Sequence, residues 1–173
     1  MSTLENSLEK NVILPERFHF CPDEITLAIR AIGNYAISSL RIDEENWSSE
    51  SLHAVTSEIE PMEDRIEWTR KFLDSCIILM QKLSNGEGSQ NGVELSENEL
   101  ELIMDSLYRL GVVATSEAIM AITEEHVMYE TEEDKLDALG ILSTSRTQTR
   151  SLFKKLEPTA IEHKLERMIW DHP

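Results

Sequence analysis

From Pro61 to about Ser84 apolar residues recur every three or four positions: Met62, Ile66, Thr69, Phe72, Leu73, Cys76, Ile77, Met80 and Leu83. That spacing places them on one face of an α-helix and rules out a half-buried strand, which alternates every second residue. Ile78 and Leu79 make the second half apolar nearly all round, so it is expected near the centre of a core.

The same period recurs along the chain. Pro22 with Asp23 and Glu24 marks a helix start, followed by Ile25, Ala28, Ile29, Ile32, Ala36 and Leu40. Gly33 interrupts this helix where a neighbour is expected to approach closely. The polar stretch from Asp43 to Ser49 ends it, and Leu52, Val55 and Ile59 suggest a short helix. Ser96 with Glu99 forms a capping box ahead of Leu100, Ile103, Met104, Leu107 and Leu110, with Gly111 a stop or a tight crossing. Thr115 and Thr131 read as further caps, and Pro158 as the start of a last helix. No segment alternates with period two. The expectation is an all-α fold, a bundle or orthogonal array of six to seven helices.

Residues 1–14 read as a flexible arm and 15–173 as one helical domain. Three glycines among small polar residues make 84–92 a flexible loop, and the alternative is two small lobes, 15–84 and 93–173. A shift of 78 lays Ile25, Gly33 and Ala36 on Ile103, Gly111 and Ala114. The rest of the halves does not follow that shift, and amphipathic helices produce such echoes without common ancestry.

The formal charge is -17 and is uneven: residues 1–140 hold 10 Lys and Arg against 29 Asp and Glu, whereas residues 141–173 hold 6 against 4. A field of that sign repels nucleic-acid phosphate and favours basic partners. The longest apolar run, Cys76 to Met80, is far short of a membrane span. Cys21 and Cys76 fit no metal or disulfide spacing, so a cytoplasmic location is expected.

Constellations that carry chemistry are sparse. Glu16 with His19 and Glu50 with His53 have the Glu-x-x-His spacing of helical metal sites, but two such pairs are unremarkable in a glutamate-rich chain. The acids from Glu124 to Asp134 around His126 lack a further acid at Met128 and read as a solvated helix junction. No nucleophile elbow or phosphate loop is present. No metal, no cofactor and no enzymatic activity are expected.

Residues 136–157 look like a helix-turn-helix, with Gly140 at the turn and Arg146 and Arg150 in a recognition helix. Lys154 and Lys155 would suit phosphates. Ser143 through Ser151 are polar without exception, so residues 143–149 read better as a loop or frayed helix start. Trp68 lies off the main stripe of its helix, where an aromatic side chain either covers another helix or anchors a partner. These residues lead to three readings. First is a non-enzymatic regulatory or adaptor protein, expected to form a homodimer and to bind another protein with a basic face. Behind it stand a DNA-binding regulator and an acidic mimic of nucleic acid that blocks a basic protein.

Overall fold

The computed structural model describes residues 12–48, 62–87, 91–123, 131–165 and 170. In chain order they form β1 (Ile13–Phe18), α1 (Pro22–Ser48), α2 (Met62–Asn85), β2 (Val93–Ser96), α3 (Glu97–Thr123) and α4 (Glu132–Glu162). The fold is mostly helical, as the periodicity indicates. Among the described residues there are four helices rather than six or seven, and a two-stranded antiparallel sheet joins them. No helix of the described residues is long and apolar enough to cross a membrane.

Local chemistry explains where each helix starts. Pro22 supplies the first-turn φ of α1, while the Cys21 amide donates to Glu24 Oε2 at 2.9 Å. At α3 the capping box forms in full: the Ser96 amide donates to Glu99 Oε2 at 2.7 Å and the Glu99 amide to Ser96 Oγ at 3.2 Å. Thr131 caps α4 by accepting from the Asp134 amide. That helix ends in a Schellman motif, where Leu165 N–H reaches Ala160 O at 2.9 Å and Lys164 N–H reaches Ile161 O at 3.1 Å. Lys164 takes the left-handed φ of 56° that glycine adopts at less cost.

The missing breaks have equally local causes. Thr115 does not cap a new helix; it lies inside α3, where its hydroxyl donates to Gly111 O at 2.9 Å. Pro158 lies inside α4, which continues through it to Glu162. Residues 136–157 therefore form one continuous helix, with no turn at Gly140, and 143–149 is helical rather than a loop. Polar residues line this inner face because they are small and satisfy themselves. Ser145 and Thr149 are buried, and Thr149 Oγ1 lies 2.8 Å from Ser145 O.

The strands escape a periodicity search for physical reasons. β1 contains Pro15 and a register irregularity between Ile13 and Arg17, so its buried residues, Leu14 and Phe18, stand four apart. Ile13 and Leu14, expected in the flexible arm, belong to this strand. β2 has only four residues, too few to show alternation, though Val93 and Leu95 are buried and Glu94 is exposed. Of the expected loop, Ser84 and Asn85 belong to α2. Gly92 adopts a φ of 68°, and a Cβ there would sit 3.0 Å from His19 Cε1. The expected short helix at 52–59 lies outside the described residues.

One buried cluster draws on both strands and all four helices. α3 contributes Leu100, Ile103, Met104 and Leu107, all essentially without solvent contact. Burying each is worth about 1.5–3 kcal/mol relative to exposure. Trp170 closes the cluster beyond α4, edge-on to Tyr108 and Phe153 at centroid distances of 5.8 and 5.5 Å.

Candidate functional site

Trp68 emerges from α2 with 42% of its surface exposed. One turn on, Phe72 stacks on it nearly parallel, at 5.4 Å and 4°. Phe72 in turn meets Tyr35 of α1 edge-on at 5.1 Å, and the Arg109 guanidinium of α3 lies 4.3 Å above the Tyr35 ring. A ladder of rings thus runs from the exposed Trp68 over the half-buried Phe72 and Tyr35, across three helices, to the exposed Arg109 guanidinium. Arg109 is itself fixed by Asp105, whose carboxylate accepts from Nε at 3.1 Å. Burial, then the Asp105 charge, pushes the Tyr35 phenol up to about 12, so it stays protonated through the physiological range. Every ring behind Trp68 is held by a neighbour, which leaves an exposed aromatic already fixed in orientation.

The four cations expected on a recognition helix are placed differently. Arg146, Arg150 and Lys154 follow at four-residue spacing along one flank of α4, and Lys155 points elsewhere. Arg146 Nε donates to Thr115 Oγ1 of α3 at 3.0 Å. Arg150 Nε is buried with no hydrogen-bond partner among the described residues. Lys154 pairs with Glu157 at 2.8 Å. Lys155 reaches α1, donating to Glu24 Oε2 at 2.6 Å and to His19 O at 2.8 Å. Burial works to raise the Glu24 carboxyl, but the hydrogen bonds from Lys155 and Cys21 outweigh it and hold it below the usual range. The lysines singled out for phosphate contact are thus engaged by carboxylates of the same chain.

A second such pair joins α2 to α3, where Lys82 donates to both oxygens of Glu99 at 2.7 and 2.9 Å. Arg17 of β1 pairs with Glu94 of β2 across the sheet. Glu16 accepts from His163, the C-cap of α4, at 3.0 Å. Both carboxylate oxygens of Glu16 in the Glu-x-x-His spacing at 16–19 lie within 3.2 Å of His163 Nε2. Among the described residues no group of three or more His, Cys, Asp or Glu side chains could hold a metal ion. Glu50, His53 and His126 lie outside the described residues. Cys21 is exposed at the start of α1. Cys76 is a buried, core-type thiol, which burial pushes up to about 11.

The Glu16–His163 contact ties the first strand to the end of the last helix and makes stability depend on pH. The Glu16 hydrogen bond raises His163 above its ordinary 6.5, and the same bond lowers Glu16 below 4.5. Stabilisation from His163 is complete below 6.5 and is lost as pH rises through its raised folded value. Stabilisation from Glu16 is present above 4.5 and is lost as pH falls through its lowered folded value. A His163→Gln variant should therefore trail the parent most between these limits, with Glu97 and Glu162 adding to the effect. Urea midpoints measured across pH 4 to 9 check this, and a gap that does not narrow at alkaline pH contradicts it.

No family model, curated protein or solved structure matches the chain.

Of the ladder, sequence reasoning singled out Trp68 and placed Phe72 in the core stripe. It missed Tyr35 and Arg109. The four-residue step from Trp68 to Phe72 is a readable signal; the contacts from α1 and α3 depend on tertiary packing.

Proposed function

We propose that the protein acts by binding another protein, without catalysis, and that the exposed end of the aromatic ladder at Trp68 is its anchor. The observation that carries this reading is the fixed, exposed Trp68 ring backed by Phe72, Tyr35 and Arg109. Interface energy concentrates in a few aromatic or arginine side chains, and a side chain ordered before binding loses little further entropy. The acidic excess before residue 141 favours a partner with a basic face. Self-association belongs to the same reading, supported by exposed Ile77 and Ile78 on α2.

The DNA-binding alternative draws less support, because Lys154 and Lys155 are paired with Glu157 and Glu24 and the helix-turn-helix bend is not formed. An acidic mimic of nucleic acid is a special case of the proposal, distinguished by whether DNA competes for the same partner.

The test uses the full chain and its Trp68→Ala variant as baits in extracts of the host, followed by affinity measurement on the captured partner. A hot-spot aromatic predicts a loss of about 2 kcal/mol, roughly 30-fold in Kd. Equal capture by the two baits, with both folded, refutes this placement of the interface.

A further inference from the structure

The element order is β-α-α followed by β-α-α, and α1 and α3 are each 27 residues long. We infer that the chain is an internal duplication, two β-α-α repeats fused head to tail and packed about a local two-fold axis like the subunits of a homodimer.

Register fixes the correspondence. Aligning the starts of α1 and α3 matches each residue to the one 75 later (97 − 22). Under that shift Phe18 corresponds to Val93, and these two residues are paired with each other in the sheet. Where a residue pairs with its own equivalent in an antiparallel ladder, a local two-fold axis passes between the two, because antiparallel pairing is the arrangement such an axis produces. The N-caps Cys21 and Ser96 correspond, as do the glutamates reaching back to them, Glu24 and Glu99.

A two-fold axis also requires that every contact between the halves occur twice, with roles exchanged. Lys82 of the first half binds Glu99 of the second, and Lys155 of the second binds Glu24 of the first. Lys82 and Lys155 stand 73 apart (155 − 82), and that shift carries the buried Cys76, Leu79 and Leu83 onto Thr149, Leu152 and Leu156, all buried. The pairing of Arg17 with Glu94 calls for His19 to face Gly92, and a Cβ on Gly92 would meet His19 at 3.0 Å.

The echo visible at a shift of 78 is this repeat misaligned by three residues, nearly one helical turn. Helical stripes tolerate such a slip, whereas caps and strand pairing do not. The halves have since diverged, most visibly at Gly111, which seats Trp170, where the first repeat has Ala36.

Exchanging the order of the repeats tests this. A circular permutant opens the chain between Ser89 and Gln90 and joins Pro173 to Met1 through a Gly-Ser linker. The contact of His163 with Glu16 parallels that of Gly86 with Val93, so the end of each second helix lies beside a strand. If the repeats are the units, the permutant keeps the parent's near-UV spectrum and a urea midpoint within about 0.5 M of it. A control permutant opened between Val127 and Met128, inside the second repeat, should unfold at lower urea. An exchanged-order chain no more stable than the control overturns the inference. So does coupling at only one of the Lys82–Glu99 and Lys155–Glu24 pairs in double-mutant cycles on the parent.

Discussion

Phe153→Ala is expected to lower stability by about 3–5 kcal/mol, the largest loss of any single substitution considered for this chain. Phe153 is fully buried on the inner face of α4, beside Leu152 and Leu156. It also supplies one of the two ring edges against Trp170, at 5.5 Å. Truncation leaves a cavity and removes the aromatic contact together. Ser145 and Thr149, buried in the preceding turns of α4, are too short to fill the space. Whole domains are stable by only about 5–15 kcal/mol, so this single change consumes a large fraction. Urea unfolding of parent and variant measures it, and a loss below 1 kcal/mol contradicts the packing described.

Gly111→Ala is expected to destabilise by about 2–4 kcal/mol, against the usual trend for helices. Alanine in place of glycine inside a helix normally gains about 1 kcal/mol. Here the new methyl group would lie 2.1 Å from Trp170 Cη2 and 2.6 Å from Cζ2, so the indole must leave its seat. Losing a buried tryptophan costs about 3–5 kcal/mol, which exceeds the helical gain. The mechanism makes a sharper demand on the double variant. Once Trp170→Ala has removed the ring, adding Gly111→Ala should stabilise by about 1 kcal/mol, reversing its sign. A destabilising effect of equal size in both backgrounds shows that the glycine serves some purpose other than seating Trp170.

Gly111 also illustrates what was legible beforehand. Helix type was readable in α1, α2 and α3, because their stripes are long and regular. Two caps, Ser96 and Thr131, were readable from short local patterns. Boundaries were not readable at Thr115 and Pro158, because each residue type occurs both at helix starts and inside helices. Thr115 satisfies its hydroxyl on Gly111 O, and α4 runs on through the proline. The polar stretch around Ser145 suggested a loop because burial of a hydroxyl is costly; bonding to the preceding turn removes that cost. At the candidate site Trp68 stood out by its position off the stripe. Tyr35 and Arg109 did not, since nothing local in sequence connects three different helices. Lys155 was recognised as basic, but its partner Glu24 lies 131 residues away.

The most direct test of the proposed interface places a photo-crosslinking phenylalanine derivative at position 68 of the full chain in its host. A second chain carries it at the exposed position 148 on α4. If Trp68 anchors a partner, irradiation yields a discrete adduct with one other protein from position 68 and not from position 148. An absence of adduct at 68, or the same adducts from both positions, contradicts the central claim.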